Sequence, residues 1–387
     1  MSVLAIRNIG ILVTGDIDNP ISDADTIIVE NGKIKKVGGE TLLKEFNCDT
    51  VIDANGTTVA PGLIDSHCHP VLGDYTPRQK TVGFIDSSLH GGVTTMISAG
   101  EAHTPGRPKD PAGAKALAIL AHKCSKNARP GGVKLHGGAL ILEKGLTEKD
   151  FEELAQEGVW LVGEIGLGSV KDPAEAAPMV KWAKKNGMKV MMHTGGTSIP
   201  GSSTITAEDV ITTDPDVVSH LNGGPTAVAM EEVEKLIDKT NMALELVHCG
   251  NPKVLKYAAE LLNDRGQLNR IIIGNDSPSG TGIIPLGILR TISLISSIAG
   301  IPAEKALCMA TGNTAKVYGL NAGIIEEGRE ADFVIMDAPM GSIGEDCLKA
   351  IEAGDLPGIS MVIIDGQIMF EKSRNTPPPK RKAVKQQ

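Results

Sequence analysis

Aromatic side chains are scarce, with two Trp, three Tyr and five Phe in 387 residues. No basic stripe interleaved with them appears before the last few residues, and the formal charge is −9, which argues against nucleic acid and membrane surfaces as partners. A small solute fits better. No apolar run reaches the roughly 18 residues a membrane span needs, and the opening MSVLAIRNIG lacks a signal-peptide layout. The six cysteines, at 48, 68, 124, 249, 308 and 347, form no CxxC pair. The expected setting is therefore cytoplasmic, with reduced thiols. The nucleophile elbow GxSxG is missing, and the glycine pairs in HTGGTS and LNGGPT lack the spacing of a P-loop or dinucleotide fingerprint.

What is present is apolar material for a large core, 41% of the chain, and 45 glycines for many short loops. A chain of this length exceeds what one core usually serves, so one large domain plus a smaller one is expected. The first 58 residues carry β-type runs broken by Asn31-Gly32 and Asn55-Gly56, the dipeptide that favours type I′ hairpins. The same texture returns in ADFVIMDAP and in MVIIDGQIMF, with Asp365-Gly366 as its turn. These strands have no helices to cover them. Residues 1–58 and 321–372 are accordingly expected to form one β-sandwich from both termini, with residues 59–320 inserted between them and 373–387 an extended tail, disordered or draped over a neighbour.

Within residues 59–320, eight short apolar runs alternate with helical segments: GLIDSHCH, VTTMISAG, GVKLHGG, VWLVGEIG, KVMMHTG, DVVSH, ALELVHCG and RIIIGND. Helix signals lie between them, such as Asp172-Pro173 as N-cap and N1 with Gly187 at the close, and Thr147 with Asp150 as a capping box. Eight strands alternating with helices match a (β/α)₈ barrel, although a doubly wound open sheet would look similar strand by strand.

His67 and His69 are two residues apart on the first strand and so face one side, with Asp65 deeper on that face and Cys68 turned toward the helices. A lone HxH is weak evidence. The ends of the other strands strengthen it: Glu164, His193, His220 and Asp276 finish the fourth, fifth, sixth and eighth runs, where barrels of this kind carry their chemistry. Six such groups, four of them imidazoles, suit zinc or iron(II) better than magnesium or calcium. They are too many for one tetrahedral catalytic zinc, so two divalent ions are expected, activating a water between them against a carbonyl, with Asp276 shuttling its proton to a leaving nitrogen.

PGLIDSHCH, GGVTT at 91–95, the histidines ending strands five and six, the aspartate ending strand eight, TGNTAKVYGL and GIIEEGREADFVIMD together resemble the amidohydrolase superfamily of metal-dependent hydrolases over nearly the whole chain. The resemblance implies a distorted (β/α)₈ barrel with a small sandwich built from both termini. It also implies that His67 and His69 join Asp276 on one metal, that His193 and His220 hold the other, and that Glu164 bridges. HTGGTSIPGSST, SAGEAHTPGRPKD and GNDSPSGTGIIPLGILR are similar to segments of the cyclic-amide hydrolases of anaerobic nicotinate breakdown. That similarity implies opening of 6-oxo-1,4,5,6-tetrahydronicotinate to 2-formylglutarate and ammonia, iron and zinc as the two ions, and a homotetramer. The same site could serve another carbon–nitrogen substrate: a hydantoin, dihydroorotate, an N-acyl amino acid or an aminated ring. A metal-free scaffold is the reading from another class, and retention of all six ligand types argues against it.

Other residues are weighed more evenly. His248, His103 and His136 follow strands seven, two and three and divide between pocket and structural roles; His90, at a helix end, is expected to be structural. Arg78 and Arg107, in the loops after strands one and two, are candidates to hold a substrate carboxylate. Many relatives bridge their metals with a carboxylated lysine on strand four. Here that strand offers Glu164 and no lysine, and Lys134 lies one strand too early, at the start of a loop.

Overall fold

The computed structural model describes residues 3–70, 81–102, 104, 106–197, 203–223, 227–278 and 282–386. Arg78 and His103 lie outside the described residues. All eight expected runs form parallel strands: Leu63–Cys68, Val93–Ser98, Lys134–His136, Leu161–Ile165, Lys189–Met192, Val217–Val218, Ala243–Val247 and Ile271–Gly274. They close into a barrel rather than an open sheet. Strands one to three and four to eight pair as two sheets. The seam between three and four is made by Leu140, which exchanges backbone hydrogen bonds with Leu161 and Gly163 at 3.0 and 2.8 Å. The seam between eight and one is made by Asp276 N–H to the His67 carbonyl at 2.9 Å and His69 N–H to the Ser277 carbonyl at 3.1 Å. That second seam draws the two ends of the barrel's chemistry together.

Seven strands each send one apolar side chain to a single interior cluster: Ile64, Ile97, Leu161, Met191, Val217, Ala243 and Ile272, plugged by Ala315 and Tyr318. Ile64 and His67 cannot both face inward on a regular strand. The register of strand one against strand two shifts on both sides of Asp65, and this bulge re-aims the side chains above it. Asp65 therefore does not simply share the inward face of the histidines. Its Oδ1 accepts the backbone N–H groups of His67 at 3.1 Å and Asn275 at 2.9 Å, tying strand one to strand eight. Cys68 faces outward as expected, fully buried against the helical layer, and its thiol donates to the Ile97 carbonyl.

The helix signals hold. Asp172 accepts from Ala174 N–H to open Pro173–Lys185, Gly187 follows it with φ of 74°, and Thr147 and Asp150 form a capping box on Glu148–Gln156. The motif TGNTAKVYGL spans a π-turn and a helix at the end of the barrel domain. Its Asn313 donates to the Leu268 and Ile271 carbonyls at the foot of strand eight, and Tyr318 O–H donates to the Ser66 carbonyl.

Strands from both chain ends form two facing sheets. One is ordered Val384–Lys385, Thr50–Asp53, Val3–Arg7, Thr26–Glu30, Lys33–Gly38; the other is ordered Gln367–Phe370, Gly358–Ile364, Phe333–Asp337, Thr58–Pro61, Ile11–Val13, Ile21–Ser22. Leu4, Ile6, Ile27, Ile52, Val59, Phe333 and Met361 fill the space between them. Strand Thr58–Pro61 is the central partner of Phe333–Asp337, so the sandwich runs on to Pro61 rather than stopping at residue 58. The three Asx-Gly pairs all have positive φ at both residues, as type I′ turns require. The described part of the tail packs on its own chain: Arg381 forms an ion pair with the fully buried Asp337 at 2.8 Å, and Val384–Lys385 adds a strand beside Thr50–Asp53.

Candidate metal centre

The barrel gathers all six expected residues into two adjoining groups, His67 with His69 and Asp276, and Glu164 with His193 and His220. Glu164 faces both. Its Oε2 lies 3.4 Å from His67 Nε2 and 3.3 Å from His69 Nε2, while its Oε1 lies 2.6 Å from His220 Nε2 and 3.7 Å from His193 Nδ1. Asp276 Oδ1 completes the first group at 3.6 Å from His67 Nε2 and 3.5 Å from His69 Nε2.

Three of the four imidazoles, those of His67, His69 and His193, are steered by the bond the other nitrogen makes. His69 Nδ1 is held at 3.0 Å from the Gly100 carbonyl and His193 Nε2 at 3.0 Å from the Gly196 carbonyl. A carbonyl can only accept, so these contacts place the proton on that nitrogen of a neutral ring. The lone pair of the other nitrogen then points into the cluster. The donor set, imidazoles and carboxylates, suits divalent metal ions, and the two groups meet at the Glu164 carboxylate.

Without a metal the cluster balances its charge with protons. Burial pulls the His67 imidazolium down, but Glu245 and Glu164 outweigh it and raise its pKa well above the ordinary value. Burial is likewise overcome at His69, where hydrogen bonds to Asp276 and Glu164 lift the pKa to about 9, and at His220, raised by Glu164. Glu164 and Asp276 are held below the usual carboxylate range by the same imidazoles, against the opposing effect of burial. Raised imidazole pKa values stabilise the metal-free fold below pH 6.5, and that stability is lost as pH climbs through about 9. The chelator-treated protein should therefore melt at progressively lower temperature from pH 6.5 to 9, while the metal-loaded protein, whose ligand imidazoles are already neutral, should not; paired thermal melts measure the difference.

Two neighbours of the cluster were not expected. Cys249, in the loop after strand seven, places its Sγ 3.1 Å from Asp276 Oδ2, the oxygen turned away from the histidines. Glu245, fully buried in the middle of strand seven, bonds His67 Nδ1 at 2.7 Å. A signal for Glu245 was present in ALELVHCG, because a carboxylate inside a strand covered on both faces must find a partner.

The remaining candidates take other places. Arg107 is committed at 2.6 Å to Glu143, which is fully buried, so its guanidinium braces the barrel mouth. His136, whose pKa burial lowers to about 4, sits on strand three edge-on to Trp160 and lines a cavity of about 580 Å³ with Lys134, Trp160 and Tyr318, apart from the metal cluster. His90 stacks on Phe370 at 4.3 Å and its carbonyl accepts from Ser373, a structural role. His248 donates its backbone N–H to Gly274 beside the cluster, and burial lowers its pKa. Lys134 begins strand three rather than a loop. Its ammonium is surrounded by Glu330, Asp332 and Asp365 at 2.5, 2.8 and 2.6 Å, clamping barrel to sandwich.

A barrel with these groups at its strand ends and a sandwich made from both termini belongs to the amidohydrolase family, whose profile matches residues 58–369. Within it, the chain is 62% identical to the enamidase of Eubacterium barkeri, with 99% of each chain covered. It superposes on the crystal structure of enamidase with a TM-score of 0.97, covering 99% of this chain and 100% of that one. A dihydroorotase of Clostridioides difficile is 24% identical over 93% of this chain and 99% of its own. No described helix is long and apolar enough to cross a membrane.

Proposed function

We propose that the chain is an enamidase, hydrolysing 6-oxo-1,4,5,6-tetrahydronicotinate to 2-formylglutarate and ammonia at a centre of two divalent ions. The observation that carries this reading is the placement of Glu164, one carboxylate oxygen toward each histidine group. His67, His69 and Asp276 would hold one ion, His193 and His220 the other, and Glu164 both. The imidazole-rich donor set supports iron and zinc as the pair. Such ions supply a nucleophile from water at neutral pH and polarise the amide carbonyl.

The protein's own groups handle the proton. Asp276 takes it from the attacking water and delivers it to the ring nitrogen as the C–N bond breaks. The released enamine becomes its imine, adds a second water and loses ammonia. Asp276 is suited to the task because its Oδ1 faces the first histidine group while Oδ2 lies 3.1 Å from the weakly donating Cys249 thiol. Its φ of 53° holds that presentation, and its backbone N–H is anchored to the His67 carbonyl.

The similarity to enamidase also supports a cytoplasmic homotetramer, which light scattering of the purified protein checks. The decisive experiment for the activity is a panel of cyclic amides, ureides and N-acyl amino acids read by ammonia release and product mass. The carboxylated lactam should exceed every other member in kcat/KM, with 2-formylglutarate as product. Preference for dihydroorotate, a hydantoin or an N-acyl amino acid would replace the proposal.

A further inference from the structure

Glu245 lies at the centre of strand seven, in Ala-Leu-Glu-Leu-Val, and none of it reaches solvent. A carboxylate in that position costs several kcal/mol unless its oxygens are bonded. Here the bonds go to both halves of the candidate metal centre. Oε2 accepts from His67 Nδ1–H at 2.7 Å and from the backbone N–H of His220 at 3.1 Å, and Oε1 accepts the Ser66 hydroxyl. The Glu245 carbonyl accepts Leu221 N–H at 2.7 Å, so residues 220–221 are gripped from side chain and backbone together. That grip falls where the chain is strained, since His220 has a φ of 36°, in the region a β-carbon disfavours.

Space has been left for this arrangement. A β-carbon on Gly274 of strand eight would stand 2.7 Å from His67 Cβ and 3.0 Å from both Glu245 Oε1 and Ser66 Oγ. The glycine lets strand eight pass directly beside the carboxylate and its partners.

We infer that Glu245 is a positioning residue shared by the two metal positions, orienting the His67 imidazole of one and the His220 backbone of the other. The inference rests on reading the two groups as metal ligands. His67 must donate from Nδ1 to this carboxylate, which leaves its Nε2 lone pair for an ion. His220 can aim its Nε2 at the centre only while its strained backbone is held. One buried carboxylate thus makes the two ions dependent on each other's scaffold although it touches neither.

The test is metal retention against a chelator series, read as equivalents per chain by elemental analysis, with circular dichroism reporting the fold. Wild type retaining two equivalents upholds the underlying reading; wild type binding none would sink that reading and this inference with it. Glu245→Leu removes both acceptor oxygens and their three hydrogen bonds, and should yield folded protein that has lost both equivalents. Glu245→Gln can keep its amide oxygen toward His67 and His220 while its NH₂ turns to the Ser66 oxygen, so it should partly rescue. Both equivalents should then be held about 10–100-fold more weakly than in wild type. Loss confined to one equivalent in either variant, or wild-type retention in both, overturns the inference. Should Glu245→Leu not fold, the Gln variant decides alone by the same readout.

Discussion

Asp276→Asn is expected to keep both metal ions and to lose about 10²–10⁴-fold in turnover, the range a positioned acid–base group contributes. The asparagine retains an oxygen that can face His67 and His69, where Oδ1 now lies 3.6 and 3.5 Å from their Nε2 atoms. What it loses is at Oδ2. An NH₂ there donates instead of accepting, so the proton of the attacking water has no acceptor in line with the ring nitrogen. KM should change little, because the ground state keeps its metals and its pocket. Steady-state kinetics on protein of verified metal content separate these effects. Turnover within a few-fold of wild type would remove Asp276 from proton transfer.

Glu164→Gln should unload at least one ion and abolish measurable activity with it. Its Oε1 and Oε2 face different histidine groups, so replacing either with an amide NH₂ presents a donor where a ligand is needed. The glutamate is anionic without modification, and loading should accordingly be indifferent to bicarbonate. Lys134→Arg tests the competing bridge. Arginine cannot be carboxylated as lysine can but keeps a cation among Glu330, Asp332 and Asp365, so the clamp survives and both metals should remain. Bicarbonate-dependent reactivation of the metal-free protein, or metal loss in Lys134→Arg with Glu164→Gln intact, would reverse the assignment.

The parts of this centre that could be read from the sequence are those that depend on one strand at a time. Glu164, His193, His220 and Asp276 each interrupt an apolar run at its C-terminal end, and a parallel barrel brings those ends to one rim whatever the loops do. His67 and His69 follow from side-chain alternation, but the same rule misplaces Asp65, because a bulge resets the parity of the strand beneath them. The partner in a distant pairing leaves no local trace, even where the need for one does, as at the buried Glu245. Glu245 bonds a histidine 178 residues away, and Arg107 pairs with Glu143 across two strand ends. Lys134 reads as the start of a loop, whereas a triad of acids more than 190 residues later fixes it at the foot of the barrel. The tail looked unfolded by composition, yet Arg381 finds a buried carboxylate and two residues extend a sheet.

The split origin of the sandwich bears on how the chain is made. Strand Thr58–Pro61 leaves the ribosome about 270 residues before its partner Phe333–Asp337, and Thr50–Asp53 waits longer still for Val384–Lys385. At roughly 5–20 residues per second the interval lasts tens of seconds, long enough for all eight barrel strands to emerge first. Throughout it, the first sheet lacks its last strand and the second lacks three of its six, with pairing edges open to other nascent chains. The first sheet's edge strand already in place, Lys33–Gly38, carries exposed lysines at 33, 35 and 36. Their repulsion discourages a second copy from docking there, so synthesis can reach the C-terminal residues that complete the sheet.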